Sequence, residues 1–157
     1  MAGGQGAAGG GGPAPEDVGP PAETVGVVVI VHDLAQAAAA LTAAAELGVA
    51  VRLRSAPGAA GYAGVGFLHA LGRAVGHEPI VDCGDDPGLA LGALRTGCRD
   101  VAFSGAAEPA RRLADIAAQL GARLRHETGP PPRALAVAPG ADAGRALRAW
   151  LVPRADA

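Results

Sequence analysis

Past Val25 the chain alternates between short β-branched apolar runs and longer segments with a helical period. VGVVVIV (Val25–Val31) has strand length and ends at His32-Asp33. Asp33 is a good N-cap for the segment LAQAAAALTAAAELG. There Leu34, Ala37, Ala38, Leu41, Ala45 and Leu47 give an apolar stripe and Gly48 a stop. VAVRLR (Val49–Arg54) predicts a second strand. After the glycine-rich stretch Ser55–Gly66, FLHALGRAVGH predicts a shorter helix.

The unit then recurs. PIVDC (Pro79–Cys83) is strand-like, Asp85-Asp86-Pro87 opens a helix with proline near its first position, and Gly97 closes it. RDVAFS (Arg99–Ser104) predicts the next strand. The helix after it carries Leu113, Ile116, Ala117 and Leu120 on one face and stops at Gly121. ARLRHE (Ala122–Glu127) and ALAV (Ala134–Val137) predict two more strands, and Asp142 caps a last helix that ends before Pro153. From strand end to stop glycine the chain takes 17 residues (31 to 48), 16 (81 to 97) and 18 (103 to 121), an internal βα repeat.

Such alternation predicts an α/β fold in which repeated βα units build one parallel sheet of five or six strands. The β-branched runs agree, because a parallel strand is buried on both faces. Either a half-barrel or a small open doubly wound sheet satisfies the pattern. The expected organisation is a Gly/Pro/Ala-rich disordered tail over 1–24, one α/β domain over 25–152, and a short tail over 153–157. The first segment has neither the basic start nor the apolar run of a secretory signal.

The V-x-D opening, the A-x-x-x-G-V helix ends and the short helices that stop in glycine resemble pieces of (βα)-barrel proteins of the aldolase and phosphate-binding kind. The resemblance covers roughly Val25 to Glu127. It implies a partial barrel with a phosphate or carboxylate ligand at the strand ends. All 13 basic residues are arginine, so the lysine-dependent chemistry of that group has no residue to act through. A lysine-bound pyridoxal site and a Walker-type phosphate loop are excluded for the same reason.

Charge narrows the partners further. The first 24 residues hold three of the 15 acids and no base, which leaves 13 bases against 12 acids in the rest. That near-neutral balance favours neither nucleic acid nor an anionic membrane. No apolar run approaches a bilayer span. Cys83 and Cys98 belong to no C-x-x-C pair, so they read as buried thiols of a cytoplasmic protein, with no metal site and no cofactor expected.

In parallel α/β folds the ligand crevice lies at the carboxyl ends of the strands. Reading those ends collects His32 and Asp33, Arg52, Arg54 and Ser55, Asp82, Cys83, Asp85 and Asp86, Ser104 and Gly105, and His126 and Glu127 at one pole. Asp82 is the candidate base and His32 its partner. Arg52, Arg54, Ser55, Gly58, Gly61, Gly64, Ser104 and Gly105 form the candidate cradle for a small anionic metabolite, since guanidinium groups and helix-start amides both suit an anion. A buried ion pair with Asp33 or Asp82 is the competing use of the arginines. The competing function is assembly without catalysis, as a homo-oligomer that covers its sheet edges. The alanine runs Ala37–Ala40 and Ala43–Ala45 offer flat helix faces for that purpose.

Overall fold

The helix signals are the most local, and they hold position by position. In a computed structural model, which describes residues 26–128, 130–131 and 133–152, α1 spans Leu34–Leu47, α4 spans Pro87–Thr96 and α6 spans Ala143–Leu151. Each is capped by an aspartate. Asp33 accepts from the Gln36 amide at 2.8 Å, Asp86 from Gly88 at 2.8 Å and Leu89 at 3.2 Å, and Asp142 from Arg145 at 3.1 Å. Each cap contributes roughly 1 kcal/mol. The remaining helices are α2 (Ala59–Tyr62), α3 (Val65–Val75) and α5 (Ala107–Gln119). The expected tails, 1–24 and 153–157, lie outside the described residues. No helix among the described residues is long and apolar enough to cross a membrane.

The strands are β1 (Val27–Val31), β2 (Val51–Ser55), β3 (Val81–Asp82), β4 (Asp100–Phe103), β5 (Arg123–His126) and β6 (Leu135–Ala136). Every pairing is parallel, as expected, and the class is mixed α/β. The pairings do not show a single sheet of five or six strands. Two three-stranded sheets form instead, in the orders β2-β1-β6 and β3-β4-β5. They touch through one isolated parallel bridge, Arg54 with Ile80.

Side chains break that ladder on both sides of the bridge. Ile80 donates to the Leu53 carbonyl at 2.9 Å and accepts from the Ser55 amide at 3.0 Å, as a parallel pair should. Beyond it, the Asp82 amide donates to Ser55 Oγ, 2.8 Å away, instead of a backbone carbonyl. Before it, the Leu53 amide donates to His77 Nε2 at 3.2 Å, and the Glu78 carbonyl accepts from Arg52. Pro79, with no N–H, adds nothing to the pairing.

Register divides each strand into two faces. Val29, Val31, Val51, Leu53, Val81, Val101 and Phe103 are buried in the two apolar cores, which also contain the inner residues of the helices. Strands laid down in chain order with right-handed crossovers put their helices on one side. The helix neighbours agree: α6 lies on α1, α1 on α3, α3 on α4 and α4 on α5. The opposite face carries Arg52, Arg54, Asp82, Asp100, Arg123 and Arg125, placed together by the pairs Ile30–Arg54, Asp82–Ala102, Asp100–Arg123 and Ala102–Arg125.

On α1 the buried face is Gln36, Ala37, Ala40, Ala43 and Ala44, rotated from the stripe that the leucines suggest. Leu34, Ala38, Ala45 and Leu47 are exposed. Close approach decides this. A methyl group built on Gly144 of α6 would stand in ordinary contact with α1, 3.4 Å from the Ala39 carbonyl oxygen and 3.6 Å from Ala43, so α6 lies directly against the alanine face. The alanine faces are thus used within the chain's own fold. On α5, Leu113 and Ala117 are buried as expected, while Leu120 is exposed.

The ionic face has a titratable neighbour at its amino-terminal end. Half-buried His77 accepts the Leu53 amide on Nε2 and lies 3.5 Å from Arg52, an arrangement that requires the neutral ring. Burial, and then the Arg52 charge, hold its pKa below the usual 6.5. The unfolded chain therefore takes up this proton more readily than the folded one. Stability is expected to be level above pH 6.5 and to fall as the pH drops from there toward the folded-state value. Urea midpoints between pH 8 and pH 5 measure the effect. His77→Gln should flatten that limb, and an unchanged slope in this variant would assign the proton elsewhere.

Candidate functional site at the carboxyl ends of the strands

Arg54 alternates with Leu53 on β2. Leu53 turns toward the helices, so the guanidinium turns onto the ionic face, where it is 1% exposed. One terminal nitrogen meets Asp82 Oδ2 at 2.8 Å and the other meets Glu127. Its buried Nε has no hydrogen-bond partner among the described residues.

Asp82 gathers the surrounding turns. Oδ1 accepts from the amides of Gly58 at 2.8 Å and Gly84 at 2.9 Å, while its own amide is held by Ser55 Oγ. One carboxylate thus joins β3 to β2, to the turn before α2 and to the turn that leads to α4. Gly58 makes this possible with φ 68°, a left-handed conformation that a larger residue enters at a cost of roughly 1–2 kcal/mol.

A second cluster lies lower on the same face. Asp100, wholly buried, accepts from Arg52 at 2.8 Å and from Arg125 through Nε at 2.6 Å and the terminal nitrogen at 2.9 Å. Arg123 stands 3.8 Å from the same carboxylate. Arg52 also donates to the Glu78 carbonyl.

His32 is placed apart from Asp82. Its Nε2 is 2.9 Å from the Val137 carbonyl, which can only accept, so the ring donates there. Its amide donates to Gln36 Oε1, and Gln36 Nε2 bonds the carbonyls of Ala138 and Ala141. This chain of bonds fastens the end of β1 to the loop before α6. Among the described residues no hydrogen bond joins His32 to Asp82.

The remaining candidates separate into inner and outer positions. Ser55 is buried. Gly61 lies within α2, and Gly64 precedes α3 with no side-chain cap. A cavity of about 60 Å³ lies between His32, Ser55, Ala59 and Tyr62, far smaller than the roughly 300 Å³ of a typical ligand pocket. Ser104 is exposed at the end of β4. Gly105 stands against the Phe103 ring, where a methyl group would come within 2.3 Å, and its carbonyl accepts from His126 at 2.7 Å. The His126 ring also stacks on Phe103. Ala106 begins α5 without a side-chain cap.

The thiols stand outside this chemistry. Burial pushes both Cys83 and Cys98 up to about 12, and both are free. At neutral pH they are unreactive thiols. Among the described residues no three His, Cys, Asp or Glu side chains gather in a way that could hold a metal ion.

No family model and no curated protein matches this chain. The chemistry of the pole rests on its own geometry.

Three residues complete that geometry: Glu127, which the strand-end rule places at the pole without a role, and Asp100 and Gln36, which it does not include. Glu127 reaches Arg54, Asp100 joins three arginines, and Gln36 holds His32. A signal for the second cluster lies in the sequence. R-L-R occurs at 52–54 and again at 123–125, and two strands with that alternation put four guanidinium groups on one face, which calls for buried acids opposite.

Proposed function

We propose that this domain binds a small anionic metabolite, phosphorylated or carboxylated, at the carboxyl pole of its strands. The observation that carries the reading is the distribution of helix caps. α1, α4 and α6 each begin with an aspartate bonded to a first-turn amide, whereas α3 and α5 begin at Gly64 and Ala106 with no side-chain acceptor. The first-turn amides of α3 and α5, the latter beside Glu108, and the exposed Ser104 offer donors at the pole. A half-barrel in which the two sheets curl toward each other across the Arg54–Ile80 bridge would gather Arg54 and Glu127 on its concave side, and their ion pair supports that arrangement. The two buried free thiols suit the cytoplasm.

Binding without turnover is the reading that the hydrogen bonds favour. Both Asp82 oxygens are engaged by three donors, and the His32 ring is committed to Val137. Self-association is the second reading. In its favour, Leu47, Trp150 and Val152 are exposed at the ends of α1 and α6, which the Arg148–Glu46 pair holds side by side.

One set of samples tests both readings. Thermal melts are run with inorganic phosphate, sugar phosphates and small carboxylic acids at millimolar concentration, against sodium chloride of equal ionic strength. The expected result is a rise in Tm of a few degrees with at least one anion class and none with chloride. If no anion raises Tm, the binding reading is wrong. Sedimentation of the same samples at the mass of a monomer at every protein concentration removes the assembly reading.

A further inference from the structure

We propose that Arg54 is the anion receptor of this pole, and that Glu127 occupies it in the ligand-free chain and gives way to a ligand carboxylate. The inference rests on the binding reading above and adds the receptor, its regulation and the preferred ligand class.

The two acids on Arg54 are held very differently. Asp82 is buried, its second oxygen takes two backbone amides, and its own amide is fixed by Ser55. Moving it would strand several polar groups at once. The Glu127 side chain is 31% exposed, and Arg54 is the one partner recorded for its carboxylate among the described residues. Its backbone is anchored, because the Glu127 amide donates to the Phe103 carbonyl at 3.0 Å. Rotation about its side-chain bonds is therefore enough to withdraw it into water, with no change in β5.

What it uncovers is a guanidinium that is already positioned. Asp82 fixes one terminal nitrogen, so the departure of Glu127 frees the other with its N–H donors already oriented for a carboxylate oxygen. Exchange of Glu127 for a ligand carboxylate leaves the charge of the buried cluster unchanged. A phosphate dianion would add a negative charge beside Asp82 in a poorly solvated place, so carboxylates are preferred.

The test uses the full chain. Acetate and inorganic phosphate are titrated by calorimetry into the unmodified protein, Glu127→Ala, Glu127→Gln and, as a remote control, Asp115→Asn, with chloride keeping ionic strength constant. Glu127→Ala is expected to bind acetate about tenfold tighter than the unmodified protein or better, because the internal competitor is gone. Glu127→Gln, which keeps the shape and folds even if the alanine variant does not, should fall between them. Asp115→Asn should match the unmodified protein, and phosphate should bind more weakly than acetate throughout. The Arg54 Nε–Hε resonance should be the arginine signal that moves most. Equal acetate affinity with and without the Glu127 carboxylate overturns the inference and leaves the binding reading standing, as does acetate binding that leaves the Arg54 resonance in place. Absence of binding in all four proteins overturns both.

Discussion

Replacing Asp100 by alanine is expected to destabilise the fold by about 3–5 kcal/mol, the usual cost of removing one partner from a buried ion pair. Asp100 is wholly buried and serves Arg52, Arg125 and Arg123 together. Without it, Arg52 keeps only neutral partners, the Glu78 carbonyl and the His77 ring. The shared acceptor of β5 is lost at the same time. Domains of this size have a total stability of roughly 5–15 kcal/mol, so the variant should be largely unfolded in modest denaturant. Asp100→Asn keeps an acceptor and the volume but not the charge, and should lie between the two. Urea unfolding measures all three proteins. A loss below about 1 kcal/mol would place the cluster in the range of solvated surface pairs. Added salt separates the cases further, since it should weaken the exposed Arg112–Glu108 pair on α5 and leave the Asp100 cluster almost untouched.

The contrast between Asp100 and the helix caps explains what could be read from the sequence. Asp33, Asp86 and Asp142 act on amides two or three residues away, so the information they carry is local and the helices begin where the sequence places them. The parallel direction of the strands follows from the repeat, which is nearly as local. The junction between β2 and β3 depends instead on His77 and Ser55 intercepting backbone donors 24 and 27 residues away in the chain, and no apolar pattern records that. The buried face of α1 differs from the leucine stripe for a related reason. Leucine carries more hydrophobic weight than alanine in a periodicity, yet it is the alanine face that α6 lies against. In the candidate site, the strand-end rule places Arg54, Ser55 and Asp82 at one pole and the glycine-rich loop supplies Gly58, and the structure brings these four into a single bonded cluster. It assigns Arg52 to the lower cluster, because alternation within a strand fixes the face of a side chain but not its height. His32 is drawn off by Val137, which is 105 residues distant.

Asp82 gives the other large effect, and it separates structural use from catalytic use of a carboxylate. Asp82→Ala should cost about 3–5 kcal/mol, because Arg54 is left with the half-exposed Glu127 as its acid partner. The amides of Gly58 and Gly84 lose their acceptor in the same step, each a further cost of roughly 1–3 kcal/mol that does not simply add. Asp82→Asn is the sharper experiment. Its side-chain oxygen can still accept from the two glycine amides, but its amide nitrogen then turns donors toward the Arg54 donors in a buried site. It should therefore lose at least about 2 kcal/mol, well beyond a neutral surface change. A carboxylate whose role is proton transfer behaves the opposite way, because its amide variant keeps the fold and loses the reaction. Denaturant midpoints for the two variants decide between these uses. If Asp82→Asn is as stable as the parent chain, Asp82 is not what fixes Arg54 at the pole, and a role for this carboxylate in chemistry returns to first place.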